Sequence, residues 1–339
     1  MKLKKYLFIL LLLIVVDQKS AQAQQLETAI NFHGFVDNRE YAKSNRLSQT
    51  IFGARFSPEL GLMIDSVHRF RVGANFLKEF GSKNFTDNIA PVIYYQYQKE
   101  KNNFFIGAFP RLNLIDDYPR ALLADTLNYF KPNMEGMFYQ YKTNNFKQNV
   151  WIDWTGKQTA TDRETFLFGF SGKYQKGLFY ASNYAYMYHN ALSAISPPNQ
   201  FLEDNGAIQL QLGLDFGKKT FLDSLTFSAG AMMSVERVRS LNNLRTPVGF
   251  ISYLYAGYKN FSLANTYYNG EGHYLINGDA FYTAKQYNRL DLGWNPIQFK
   301  NIQGGFTFSF HFVDGIIDSQ QAFSLRYKLA GKKDLNGWL

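Results

Sequence analysis

Histidines with serines or acids nearby are the residues of this sequence best suited to chemistry. The segment Tyr188-His189-Asn190 with Ser193 comes closest to a nucleophile and its base, because hydrolysis of a lipid ester needs a serine and a histidine within hydrogen-bond reach. The same histidine follows a row of tyrosines, Tyr180, Tyr184 and Tyr186, and packing among them explains it more simply. His33 and His311 alternate with apolar residues, and His68 adjoins a short turn. The histidines therefore favour structural roles over catalysis.

A second candidate is the segment GEGHYLINGD at residues 270–279, in which Glu271, His273 and Asp279 could ligate a metal. One histidine and two acids at irregular spacing do not make the closed ligand set of known sites. The sequence also lacks a Walker loop, a dinucleotide fingerprint and a CxxC pair. We therefore expect no metal, no cofactor and no enzymatic activity.

The N-terminus has the pattern of an export signal. Lys2, Lys4 and Lys5 precede an apolar run from Tyr6 to Val16, and Ala23 is a suitable cleavage position. Eleven apolar residues are too few to span a bilayer as a helix. We predict a signal peptide at 1–23, and the absence of cysteine excludes both a lipid anchor and a disulfide framework.

Composition narrows the class further. Aromatic residues make up 17% of the chain, yet the remainder contains no long apolar stretch, which excludes a helical membrane protein. The net charge of +9 could suit nucleic acid, but the export signal and the lack of aromatics grouped with basic runs argue against that partner.

Apolar residues alternate with polar ones throughout the chain. In AIQLQLGLDF at 207–216, leucines and isoleucine occupy every second position, and QGGFTFSFHF at 303–312 places four phenylalanines in the same way. About ten residues suffice for a strand to cross the hydrocarbon at a tilt. This alternation predicts strands with one face toward lipid and the other toward the inside of a barrel.

Short and long connections alternate between these segments. Sixteen strands fit the pattern, although fourteen remain possible, and the alternation is typical of an outer-membrane barrel with short periplasmic turns and longer outer loops. The sequence thus predicts an all-β, antiparallel, up-and-down transmembrane barrel at 24–329, followed by a periplasmic tail at 330–339.

Taken together, these features resemble a Gram-negative outer-membrane porin. Within the barrel, GAFPR at Gly107–Arg111 and YPRALLADTLNYFKPNMEG at Tyr118–Gly136 resemble a stretch of outer-membrane barrels of the Bacteroidota. The resemblance implies export to the outer membrane, contact with its lipid, and a fifth-to-sixth-strand loop that folds into the lumen. That loop spans residues 111–132 and carries Asp116, Asp117, Arg120 and Asp125.

The polar faces of the strands predict the lining of the lumen. Closure of the barrel would bring the first strands beside the last, gathering a mostly basic sector: Arg55, Arg71, Arg289, His311, Arg326 and Lys328. Arginine facing lipid at the midplane costs on the order of 2 to 4 kcal/mol, so an inward position is favoured. A basic wall opposite an acidic loop predicts a weak preference for anions.

The expected function is therefore passive diffusion of small hydrophilic solutes through a porin-like channel. The sequence leaves open whether the barrel acts alone, as a homo-oligomer, or as a non-enzymatic subunit of a larger envelope complex for export, assembly or uptake. Separation of these alternatives needs native solubilisation and bilayer recordings.

Overall fold

The structure, a computed structural model, describes residues 24–115, 117–217, 219–241 and 243–335. The predicted signal peptide and Asp116 lie outside these ranges. Within them, sixteen antiparallel strands close into a barrel in sequence order. The strands are β1 Gln25–Glu40, β2 Gln49–Ile64, β3 His68–Glu79, β4 Asn88–Lys99, β5 Asn102–Pro110, β6 Asn133–Lys142, β7 Phe146–Gly156, β8 Thr165–Lys176, β9 Phe179–Asn190, β10 Glu203–Asp215, β11 Ser224–Val238, β12 Val248–Tyr258, β13 Phe261–Gly270, β14 Gln286–Gln298, β15 Ile302–Val313 and β16 Ile316–Asp334. The sixteen-strand prediction is confirmed.

The alternation of side chains fixes which face of each strand points outward. On β15, Phe308, Phe310 and Phe312 are 36–47% exposed, whereas Ser309 and His311 are almost completely buried. Successive side chains of a strand point to opposite faces, so the phenylalanines form the outer surface of the barrel. Large exposed apolar side chains in such a continuous band are what lipid contact requires.

The barrel closes between its first and last strands. β1 pairs with β16 from Gln25 opposite Asp334 to Glu40 opposite Ser319. The sequence-based end of the last strand at Leu329 is therefore too early, since the strand continues to Asp334. Residues 330–334 pair with residues 25–29 at the start of β1, so part of the predicted tail is strand.

Connections differ in length at the two ends of the barrel. One end carries short turns such as the one between β2 and β3, where Asp65 and Ser66 both have positive φ. The other end carries longer loops, of which four matter below: L1 (41–48), L3 (111–132), L6 (239–247) and L7 (271–285). Short 3₁₀ turns lie at Ala42–Ser44 in L1, Arg239–Leu241 in L6 and Ala280–Thr283 in L7, and the helix α1 spans Thr126–Phe130 in L3. We call this loop-bearing end the outer end, following the topology of bacterial barrels.

Helices do not cross a membrane here: among the residues described, none is both long and apolar enough to do so.

An apolar core fills the interior toward the outer end. It joins wall residues of several strands to L3 and L7, and its fully buried members include Phe109, Leu122, Trp151, Tyr268 and Tyr287. A barrel of this strand number is too wide for its wall side chains alone to fill. The two loops supply the missing volume, so the expectation of a water-filled lumen beside His311 is wrong for this part of the barrel.

Candidate functional site

L3 folds inward and packs against the wall. Its base is closed by a hydrogen bond from the Arg111 backbone amide to the Pro132 carbonyl, and the Arg111 guanidinium donates to Asp153 on β7 at 2.5 Å. Ala121 and Leu122 at its centre are 1% and 0% exposed. The apolar residues of this loop therefore act as core.

L7 meets L3 across the interior. The Ala124 amide donates to the Asn277 carbonyl at 2.7 Å, and the Asp279 amide donates to the Arg120 carbonyl at 2.9 Å. Gly278 lies where a Cβ atom would collide with the carbonyl oxygen of Ala121, so this position needs glycine. Together the two loops form a plug, which we define as L3 plus L7.

Charged groups lock the plug to the wall. The Arg120 guanidinium contacts Asp125 at 2.6 Å and Asp291 on β14 at 3.3 Å. Arg289 lies 2.7 Å from Asp291 and 3.9 Å from both Asp125 and Asp279. Burial raises the pKa of Asp279, and the charge of Arg289 opposes that rise only in part. The predicted acidic loop and basic wall thus neutralise each other in direct contact.

Other members of the predicted basic wall are also matched by partners. Arg55 donates to the Tyr129 carbonyl and to Asn75, and Arg71 contacts Glu27 at 2.8 Å and Glu59 at 3.1 Å. His311 is buried against Phe281, Arg326 is partly exposed, and Lys328 is exposed. Nearby acids thus compensate the charges of Arg71 and Arg289, whereas Arg55 is held by neutral acceptors.

The sequence-based serine and histidine candidates do not meet. The His189 ring packs on Phe166 with ring centroids 4.9 Å apart, while the Ser193 hydroxyl bonds Gln200 and the Ile195 carbonyl.

Asp117 of L3 pairs with Lys147 at 2.5 Å. No cluster of three metal-ligating side chains occurs in the part of the chain that the structure describes, so Glu271, His273 and Asp279 do not converge.

A different serine and histidine do meet at the outer end. The Ser234 hydroxyl lies 2.7 Å from His273 Nδ1, and it also lies 2.9 Å from Glu236. Ser234 and Glu236 point inward from β11, while His273 descends from L7. Sequence reasoning missed this pair because the serine and histidine are 39 residues apart and only the infolding of L7 joins them. The alternation of side chains along β11, which places Ser234 and Glu236 on the inward face, was the sequence signal that could have indicated this pair.

Known structures share this fold. OccK11 (OpdR) of Pseudomonas aeruginosa matches at 10% identity with a TM-score of 0.55, covering 90% of this chain and 96% of that one. A loop-deletion mutant of OmpT from Vibrio cholerae and an anion-selective porin from Comamonas acidovorans match at 10% identity, with TM-scores of 0.57 and 0.54 and 91% of this chain covered against 100% of each of theirs. Such low identities establish an outer-membrane barrel fold and nothing finer.

Sequence comparison gives a family. No curated protein matches the chain. A family model described as lipid A 3'-O-deacylase-type matches residues 18–329. Because this is a family of enzymes, the expectation that the protein has no enzymatic activity is wrong. The chain belongs to the lipid A 3'-O-deacylase-type family.

Proposed function

We propose that the protein hydrolyses the ester that joins an acyl chain to the 3' oxygen of lipid A, working at the outer leaflet of the outer membrane. The family supports the reaction and the barrel supports the location. One observation about the chain itself carries the proposal: the rim formed by L6 and L7 is both apolar and basic. Such a rim suits a molecule that has acyl chains and phosphate groups.

Apolar side chains stand exposed on this rim. Leu241, Leu244, Tyr274 and Ile276 are each more than half exposed. Below them, Val248 and Phe250 continue the apolar surface down the outward face of β12. Covering one such side chain contributes about 1.5 to 3 kcal/mol, so acyl chains gain by lying against this patch.

Arginines lie among the same residues. Arg239 and Arg245 are about half exposed, and Arg237 is exposed on β11 just below them. A guanidinium can donate two parallel hydrogen bonds to a phosphate, which makes arginine the preferred phosphate partner. Arg239 pairs with Asp204 and Arg245 with Glu236, while Arg237 is exposed. The rim thus offers guanidinium groups to a phosphorylated disaccharide and apolar surface to its acyl chains.

The packing of the plug favours a substrate that reaches the protein from within the membrane. L3 and L7 pack into the interior and hydrogen-bond each other. The outer end is therefore a covered surface on which a lipid can bind. A lipid already resident in the outer leaflet reaches the rim by lateral diffusion. No passage through the barrel is required for this chemistry.

The proposal is tested on lipid A extracted from a Gram-negative host that produces the protein. We expect lipid A to lose the mass of its 3'-linked acyl group, as measured by mass spectrometry, relative to cells that carry an empty vector. Lipid A of unchanged mass, with the barrel folded in the outer membrane, would reject the proposal.

A second candidate, a diffusion channel for small hydrophilic solutes with weak anion preference, has its own supporting observation. A cavity of about 660 Å³ opens at the turn end of the barrel, lined by amide side chains such as Asn103 and Gln140 and by Lys101 and Lys142. It suits small polar solutes, whether the barrel works alone, as a homo-oligomer or within a larger envelope complex. Passage to the outer end then requires the plug to move.

Conductance of purified protein in planar bilayers checks this candidate. We expect small, infrequent openings from the wild type and clearly larger ones from Asp125→Asn, because the neutral amide weakens the contact that ties Arg120 into the plug. Asp162→Asn, an exposed change in another outer loop, is the control. Equal conductance for the wild type and both variants would mean that the plug does not limit flow, and reversal potentials in a salt gradient would then report the anion preference.

A further inference from the structure

The contact between Ser234 and His273 has the geometry of a nucleophile and its base. Ser234 Oγ lies 2.7 Å from His273 Nδ1, and the two side chains are 0% and 2% exposed. A serine hydroxyl becomes a nucleophile when an adjacent imidazole can take its proton at this distance. The pair also lies directly beneath the apolar and basic rim of L6 and L7.

We propose that Ser234 is the nucleophile that accepts the acyl group and that His273 is its general base. This inference rests on the proposed function, because it names the groups that would carry out the ester hydrolysis. It adds a site that the family and the fold do not specify for this chain.

The His273 ring is held in place from several sides. Its backbone amide donates to the Tyr282 carbonyl at 2.9 Å, and the Tyr268 ring meets it edge-on with centroids 5.5 Å apart. Gly249 and Gly270 face each other across β12 and β13, and a Cβ atom at either one would collide with Tyr268. These glycines make the space that lets Tyr268 support the histidine.

The imidazole is suited to accept a proton. Burial lowers the pKa of His273, while the nearby Glu236 and Glu271 oppose that shift and Arg245 adds to it. The ring is therefore neutral at neutral pH. When Nδ1 accepts from Ser234, the ring proton resides on Nε2.

One feature indicates that the site is incomplete without a ligand. His273 Nε2 is buried and has no hydrogen-bond partner among the residues that the structure describes. A buried polar atom without a partner is destabilising, so it is retained at functional positions more readily than elsewhere. A water or a polar group of the substrate would satisfy it.

Glu236 takes a position different from that of the acid in a serine hydrolase triad. One of its carboxylate oxygens lies 2.9 Å from the Ser234 hydroxyl and accepts from the Tyr274 amide at 2.8 Å, and it does not contact His273 Nε2. The serine hydroxyl has one proton and two neighbouring acceptors, His273 and Glu236. We assign Glu236 as a positioning residue that holds the hydroxyl and the L7 backbone.

L6 and L7 cover the pair and must open for a substrate to reach it. The Arg245 side chain joins the loops: it contacts Glu236 at 2.6 Å, donates to the Gly272 carbonyl and lies over the Tyr274 ring. Arg245 is 47% exposed, so water screens its side of the ion pair, whereas the Glu236 side chain is 9% exposed. Entry of a substrate requires these contacts of Arg245 to separate.

The chemistry then balances in two steps. In the first, the Ser234 proton passes to His273 Nδ1, Oγ bonds to the ester carbonyl carbon, and the sugar oxygen leaves with the proton returned by His273. In the second, His273 takes a proton from water as the water oxygen bonds to the acyl carbon. The bond from that carbon to Ser234 Oγ then breaks, Oγ takes the proton back from His273, and the fatty acid leaves. Water is the co-reactant, and nothing is oxidised or reduced.

Substitutions on β11 test the assignment with purified protein and lipid A vesicles. We expect Ser234→Ala to slow acyl release at least about 10³-fold, as loss of a hydrolase nucleophile does. His273→Gln should slow it comparably. Ser228→Ala is the matched control, because Ser228 is also buried, points inward from the same strand and lies outside the site. Circular dichroism verifies that each variant folds.

A fluorophosphonate probe supplies a readout that does not depend on the substrate. We expect covalent labelling of Ser234 in the wild type, and its loss in Ser234→Ala and in His273→Gln. Full deacylation by Ser234→Ala would overturn the dyad and leave the proposed function standing. His273-dependent labelling of Ser234 without lipid A hydrolysis would reject the lipid A substrate and keep the dyad. Absence of both labelling and hydrolysis in the wild type would overturn the dyad and the proposed function together.

Discussion

Replacement of Arg289 by glutamine is expected to destabilise the barrel by about 3 to 5 kcal/mol, because it removes one partner from a buried ionic cluster. Arg289 is 5% exposed and lies within 3.9 Å of Asp125, Asp279 and Asp291. Without its charge, the three carboxylates on L3, L7 and β14 are less fully compensated, because Arg120 contacts only Asp125 and Asp291 among them. The plug should loosen first, since two of these acids belong to it.

The measurement is denaturant-induced unfolding of the folded barrel in detergent or lipid, together with bilayer conductance. Lys83→Gln removes the same charge from an exposed position in the loop between β3 and β4, and it should change stability by less than about 0.5 kcal/mol. An Arg289→Gln barrel as stable and as closed as the Lys83→Gln barrel would mean that the cluster does not hold the plug.

Replacement of Trp151 by alanine is expected to cost about 3 to 5 kcal/mol, the range for removal of a large buried aromatic side chain. Trp151 is 1% exposed, and its indole nitrogen donates to the Tyr118 hydroxyl at 2.9 Å. Loss of the indole would leave a cavity between β7 and L3 and a buried hydroxyl without its donor. Both effects act on the same contact between plug and wall.

Trp154 on the same strand gives the matched comparison. It points outward, is 43% exposed and stacks on Phe166. Lipid replaces the apolar contact that an outward tryptophan loses, so Trp154→Ala should cost only the aromatic pair, about 0.5 to 1.5 kcal/mol. Equal losses of unfolding free energy for the two alanine variants would contradict the inward packing of L3.

The sequence predicted the barrel because strand alternation is local information. Phe308, Phe310 and Phe312 face outward for the same reason that Ser309 and His311 face inward, and neither depends on distant residues. Closure and strand count followed from the lengths of the connections. The end of β16 was misjudged because its last residues pair with the start of β1, a contact that local alternation does not contain.

The site could not be predicted in the same way. Infolding of L3 and L7 decides whether Arg289 lines water or sits among carboxylates, and that choice depends on contacts such as Ala124 with Asn277. Ser234 and His273 likewise meet only through L7. The same infolding brings His273, which the sequence offered only as a weak metal-ligand candidate, into contact with Ser234.

We propose that this barrel is a hydrolase at the outer leaflet. The most direct test incubates purified protein in vesicles with lipid A that carries its 3'-linked acyl chain, in parallel with lipid A that lacks it, and quantifies free fatty acid by mass spectrometry. We predict release of one fatty acid per molecule from the first lipid and none from the second. Absence of release from the first lipid, with the barrel folded and inserted, would contradict the claim.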